Sequence, residues 1–120
     1  MLADYLLPGI VIALVAWRLV SSMLVRRRLP ELVRERAQLV DVRNPGEFAG
    51  AHAPGCINLP LHELEQRAKE LDPGRWVVVC CASGTRSAMA RRRLRRLGFE
   101  RVLNAGSWRT LVGASTPPQA

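Results

Sequence analysis

One hundred and twenty residues at 13.3 kDa leave room for one ordinary domain and exclude a large multidomain enzyme. Eighteen Lys and Arg against ten Asp and Glu give a formal charge of +8, yet 48% of the chain is apolar, so the basic balance does not imply disorder. Three cysteines and two histidines, in no paired spacing, exclude a disulfide scaffold and a C-x-x-C or H-x-x-x-H metal site.

The window Tyr5 to Val25 is almost wholly apolar, broken by Arg18 and the Ser21-Ser22 pair. At about twenty residues, roughly 30 Å of helix, it is long enough to span a bilayer. Asp4 precedes it and Arg26-Arg27-Arg28 follows without an A-x-A pattern, so a retained anchor is expected and not a cleaved signal peptide. The triple Arg places the C-terminal side in the cytoplasm, as a single-pass protein of the inner (cell) membrane with a short stub outside. The uninterrupted apolar run before Arg18 is only about thirteen residues. That keeps open a peripheral helix, or one packed on the domain, although Arg18 can snorkel towards the cytoplasmic face. Arg18, Ser21 and Ser22 share one helical face.

Pro30 opens a short helical stretch, Glu31 to Ala37, and Leu39 to Val42 reads as a buried strand. Asn44, Pro45 and Glu47 form a capping-box start to a short helix. Cys56 to Asn58 is a second short strand, after which Leu61, Leu64, Ala68 and Leu71 recur at helical spacing up to the Asp72-Pro73-Gly74 break. Trp76 to Cys80 is the clearest strand, an unbroken apolar run of the kind covered on both faces in a parallel sheet. A Gly-containing turn, Ala82 to Thr85, leads into a helix with Ala90, Leu94 and Leu97 on one face and Gly98 at its C-terminal cap. Val102-Leu103 gives a last short strand, and Trp108 begins a last helical turn. Strand and helix alternate throughout, which predicts a small α/β layer structure with a mostly parallel sheet.

In such a sheet ligands sit beyond the carboxyl ends of the strands, and here the most apolar strand ends in cysteine where the chain turns into a helix. The segment Cys81-Ala82-Ser83-Gly84-Thr85-Arg86-Ser87 holds a thiol, a small-residue loop and a serine able to cap the helix. Small residues let successive N–H groups curl inward as a nest, and the helix N-terminus adds its positive end. A thiol in that field loses its proton at or below neutral pH and becomes a nucleophile. Arg86 supplies a fixed charge able to hold an anionic substrate in a fork.

These residues resemble those of the rhodanese-like sulfurtransferases. The C-x-x-G-x-R-S loop of that family is matched by Cys81, Gly84, Arg86 and Ser87, and its D-V-R-x-P-x-E-F segment by Asp41, Val42, Arg43, Pro45, Glu47 and Phe48. A third element runs from Ala51 to Pro60, and a fourth from Gly98-Phe99 to Gly106; Ala51, Cys56 and Ser107 depart from the usual residues. The resemblance implies a three-layer fold, a five-stranded parallel sheet between helices, over 29–113, with the anchor at 1–28 and a flexible tail at 114–120. It also implies transfer of a sulfane sulfur through a persulfide on Cys81, from a small anionic donor such as thiosulfate to a thiol or cyanide acceptor, a protein acceptor among them. No cofactor or metal is expected. Four residues lie between Cys81 and Arg86, one fewer than in phosphatase relatives of the fold, which fits sulfur and not a phosphoryl group.

Each functional reading has a plainer one beside it. Cys81 as an inert core thiol is outweighed by its place before the loop, whereas Cys80, pointing to the other face of the strand, reads as core filling, and Cys56 as buried structure. Asp41 and Arg43 are candidates to brace the loop, with an Arg43–Glu47 pair as the structural alternative. His52 and His62 receive no catalytic role, because an ionised thiol needs no base. Trp108 is a pocket, core or lid residue. The run Arg91-Arg92-Arg93, Arg95, Arg96 lacks an aromatic platform, so a solvated helix face ranks first, an anionic membrane surface second and nucleic acid last. The competing function is a non-catalytic, membrane-tethered interaction module.

Overall fold

The structure is a computed structural model and describes residues 1–115. Of the tail expected over 114–120, residues 116–120 lie outside the described ones.

The first element is longer than its sequence suggests. The apolar window and the helix expected to open at Pro30 are one continuous helix, α1 (Leu2–Arg34), with Pro8 and Pro30 inside it. A proline within a helix removes one hydrogen bond and costs about 3 kcal/mol. Burial on either side of Pro30 offsets that cost: Leu29 and Leu32 are 1% and 2% exposed. Residues 1–20 are all exposed, and burial begins at Ser21 and continues through Val25, Leu29 and Leu32 along one face. From there on α1 packs against the last strand and the last helix. By length and composition α1 can cross a membrane.

After a turn at Glu35–Ala37, β1 (Gln38–Asp41) runs through the middle of the sheet. The capping box starts α2 (Pro45–Gly50), with the Asn44 N–H donating to Glu47 Oε1 at 3.2 Å. β2 (Ile57–Asn58) follows, then α3 (Leu64–Arg67), flanked on both sides by single 3₁₀ turns, then β3 (Val77–Cys81). The remaining elements are α4 (Thr85–Arg96), β4 (Val102–Ser107) and α5 (Trp108–Ser115).

All strand pairs are parallel, in the order β2-β1-β3-β4. Four strands form among the described residues, one fewer than the resemblance implies. Before β1 the described residues are taken by α1 and its closing turn up to Ala37.

Side-chain alternation along β3 sorts its five buried residues onto two faces. Val77, Val79 and Cys81 join Leu64, Ala90, Leu94 and Phe99 under α3 and α4, while Val78 and Cys80 join Leu29, Leu32, Ala105 and Leu111 under α1 and α5. Adjacent cysteines thus lie on opposite sides of the sheet. The second half of α1 packs on this sheet, with burial along α1 beginning at Ser21.

α4 ends as its Gly98 predicts. Gly98 takes φ +101°, its N–H bonds the Arg95 carbonyl and the Phe99 N–H bonds the Leu94 carbonyl at 3.0 Å, which closes a Schellman motif. That reversal folds Phe99 onto the core and leaves Leu97, expected on the buried face, 47% exposed; Ser87, Ala90 and Leu94 form that face instead.

Candidate functional site

Cys81 is the last residue of β3 and only 1% exposed. The Gly84 N–H donates to its Sγ at 2.9 Å, and the Ser87 hydroxyl lies 3.4 Å away. Burial alone would raise the thiol's pKa. The Ser87 hydroxyl and the amides of Ser87, Gly84 and Ser83 outweigh it and hold Cys81 below the ordinary thiol range. Cys80 goes the other way: its contact with Cys56, then burial, then the Asp41 carboxylate keep it a neutral thiol. All three cysteines are free.

The loop owes its shape to glycine. Gly84 sits at φ +109° at the start of α4, and a Cβ there would meet the Gly106 Cα at 3.3 Å. No serine caps α4, contrary to expectation, because the N-cap position is Gly84 itself. Ser87 lies one turn in, buried, where it touches the sulfur and donates to Asn104 Oδ1 at 2.7 Å. Ala82, Ser83 and Thr85 are exposed.

Asn104 is the residue that sequence reasoning missed. Its Oδ1 also accepts from the Gly106 N–H at 2.9 Å, and its Nδ2 donates to the Gly84 carbonyl at 3.2 Å. One amide side chain therefore ties the thiol loop, α4 and β4 together. The register of β4 against β3 shifts there, with Val79 opposite Asn104 and Cys80 opposite Gly106, so Ala105 is an extra, bulged residue. The available signal is a polar residue directly after the apolar Val102-Leu103 pair; the strand runs on through it to Ser107.

Arg86 lies at the loop rim, and its fork is filled by Glu47, at 2.7 and 3.1 Å. The Arg86 guanidinium, with the Asn44 amide, pulls the Glu47 carboxyl down to about 2. The Arg43–Glu47 pair offered as an alternative does not form. Arg43 instead grips Asp41, two residues back on the same face of the chain, with Nε 3.0 Å from both oxygens and Nη2 2.8 Å from Oδ2. Both residues are buried, and Arg43 also donates to the Ala51 carbonyl at 2.7 Å. Asn58 Nδ2 bridges the Asp41 and Arg43 carbonyls. These bonds brace the β1–α2 corner and none reaches the Cys81 loop. The Trp108 ring lies against this corner, its centre 4.9 Å from the Arg43 guanidinium.

His52 stacks on Phe48 with ring centres 3.8 Å apart, and it makes no contact with the thiol. The α4 arginines divide: Arg91 bonds the Val102 carbonyl, Arg93 reaches the Leu61 carbonyl and Glu65, and Arg92, Arg95 and Arg96 are exposed.

Comparison with known proteins agrees with this geometry. The rhodanese-like domain pattern matches residues 27–110. The chain is 41% identical over 70 residues to the putative sulfur carrier protein YrkF of Bacillus subtilis (strain 168), covering 58% of this chain but 38% of that longer protein. It is 33% identical over 99 residues to the thiosulfate sulfurtransferase GlpE of Pseudomonas syringae pv. syringae (strain B728a), covering 75% of this chain and 93% of that one. Among solved structures it resembles a rhodanese with anions from E. coli, with a TM-score of 0.58 and 34% identity over 62% of this chain and 89% of the other. With the cysteine loop, the parallel sheet and these relatives in agreement, the chain belongs to the rhodanese-like domain family.

Proposed function

We propose that the protein is a membrane-anchored sulfurtransferase that carries a sulfane sulfur on Cys81. The Cys81 thiolate attacks the outer sulfur of a donor such as thiosulfate; the new S–S bond forms as the donor's S–S bond breaks, and sulfite leaves with the electron pair. An acceptor thiolate or cyanide then attacks the outer persulfide sulfur and restores the Cys81 thiolate. The amides of Ser83, Gly84 and Ser87 stabilise charge on the sulfur throughout. Ala82, Ser83 and Thr85 form the rim against which donor and acceptor enter, and Arg86 gives that rim its charge. Asp41 and Arg43 support the corner behind it.

The observation that carries this reading is the 2.9 Å bond from the Gly84 amide to the Cys81 sulfur. Incubation with thiosulfate followed by intact mass measurement tests it. The wild type gains one sulfur atom and Cys81→Ser gains none; a wild type that stays unmodified refutes it. One observation favours a second reading, a non-catalytic interaction module: Glu47 already fills the Arg86 fork. The same measurement separates the two.

Residues 1–20 of α1, exposed and apolar, support a single-pass anchor in the inner (cell) membrane, with the Arg26-Arg27-Arg28 side and the domain in the cytoplasm. A C-terminal reporter that fluoresces only in the cytoplasm tests that orientation.

A further inference from the structure

Between α1 and the thiol loop lies an open cleft of about 710 Å³ that borders the loop rim at Ser83, Gly84 and Thr85 and extends away from the sulfur along α1. α1 lines one side with Arg18, Ser22 and Arg26; the facing side is α4 with Arg92, the loop residues 83–85 and the end of β4. Cys81 is not among the lining residues, and neither is any carboxylate. Among the described residues, Arg18, Arg26 and Arg92 have no ion-pair partner, and all three are exposed. Three arginines without an ion-pair partner and several hydroxyl-bearing residues thus line one cavity, a donor set matched to an oxyanion.

Position decides which oxyanion. The exposed apolar stretch of α1 ends at Val20, inside the part of the helix that lines the cleft. Residues 2–20 make about 29 Å of helix, close to the hydrocarbon thickness of a bilayer. With that stretch inserted, Ser22 and Arg26 lie at headgroup level, Arg18 extends its side chain to that level from just inside, and Arg92 faces them from the domain. We infer that the cleft binds the phosphate headgroup of an anionic lipid, holding the domain with its Cys81 loop towards the bilayer surface. This rests on the reading of residues 1–20 as a membrane anchor.

The full chain is reconstituted into nanodiscs of phosphatidylcholine alone and of phosphatidylcholine with an equal share of phosphatidylglycerol. Lipids that remain bound on release are counted by native mass spectrometry. The wild type is expected to retain one phosphatidylglycerol, with retention about fivefold weaker for each of Arg18→Gln, Arg26→Gln and Arg92→Gln. Arg96→Gln, which removes another exposed α4 arginine that does not line the cleft, keeps wild-type retention. Equal losses for Arg92→Gln and Arg96→Gln would reduce the effect to general surface charge and overturn the site. Displacement by millimolar inorganic phosphate would reassign the cleft to free oxyanions and overturn the lipid. Incorporation into the discs without phosphatidylglycerol preference refutes the cleft and leaves the anchor standing; failure to enter phosphatidylcholine discs refutes the anchor and the cleft together.

Discussion

Ser87 on α4 and Asn104 on β4 share a 2.7 Å hydrogen bond one residue contact away from the sulfur, so the position of the thiol's helix is set by a side chain on the neighbouring strand. Ser87 in turn is one of the groups that keep Cys81 acidic. Asn104 thus reaches the sulfur's surroundings only through Ser87 and Gly84.

Asn104→Ala removes three hydrogen bonds and leaves the buried Ser87 hydroxyl without its acceptor, at a cost of about 1–3 kcal/mol. Urea unfolding is expected to show that loss. In the same variant the alkylation midpoint of Cys81 moves up, because the loop amides lose their alignment on the sulfur. A stability loss with an unchanged midpoint would assign Asn104 to the fold alone.

Alkylation of Cys81 by iodoacetamide is expected to titrate below the ordinary thiol value of about 8.5. The sign follows from the lowered pKa: the thiolate persists as pH falls below the usual range, and the rate drops only once pH passes beneath the depressed value. Cys80, held neutral on the far face of the sheet, stays unmodified in the native protein, so Cys81→Ser abolishes rapid labelling and Cys80→Ser does not.

Gly84→Ala forces a β-carbon into the left-handed region and to within 3.3 Å of the Gly106 backbone. The backbone conformation alone costs about 1–2 kcal/mol. Lower thermal stability and at least about tenfold slower persulfide formation are expected, the rate loss corresponding to about 1.4 kcal/mol in the barrier. A Gly84→Ala protein with wild-type kinetics would show that the amide alignment at this position is dispensable.

The Glu47–Arg86 pair gives a defined acid dependence. Glu47 is depressed to about 2, chiefly by Arg86, so its stabilising contribution is complete above the ordinary carboxylate value and is lost as pH falls towards 2. Urea midpoints of wild type and Glu47→Gln should therefore differ at pH 6 and converge as pH approaches 2. A constant difference across that range would show that the pair is not the cause.

Removal of residues 1–20 is expected to give a soluble, folded domain that still forms the persulfide, because burial of α1 begins at Ser21. Removal through Arg34 takes away Leu29 and Leu32, and loss of each buried leucine costs about 2–5 kcal/mol, so that protein should fail to fold. Circular dichroism and the thiosulfate mass assay distinguish the two truncations.

Features set by neighbouring residues were legible in the sequence alone. The strand into Cys81, the small-residue loop, the capping box at Asn44 and the Gly98 helix end all arise from local sterics and short-range hydrogen bonding, and all are present in the structure. The alternation of β3 was enough to separate Cys80 from Cys81. Tertiary structure alone decided which partner each charged or polar side chain took. Glu47 and Arg86 are 39 residues apart, and Asn104 meets Ser87 and Gly84 only because β4 lies beside β3 with a bulge at Ala105. Packing likewise carried α1 through Pro30, since two buried leucines on the sheet outweigh a local preference to break. Pairings between distant segments depend on register and layer order, and no window of residues encodes these by itself.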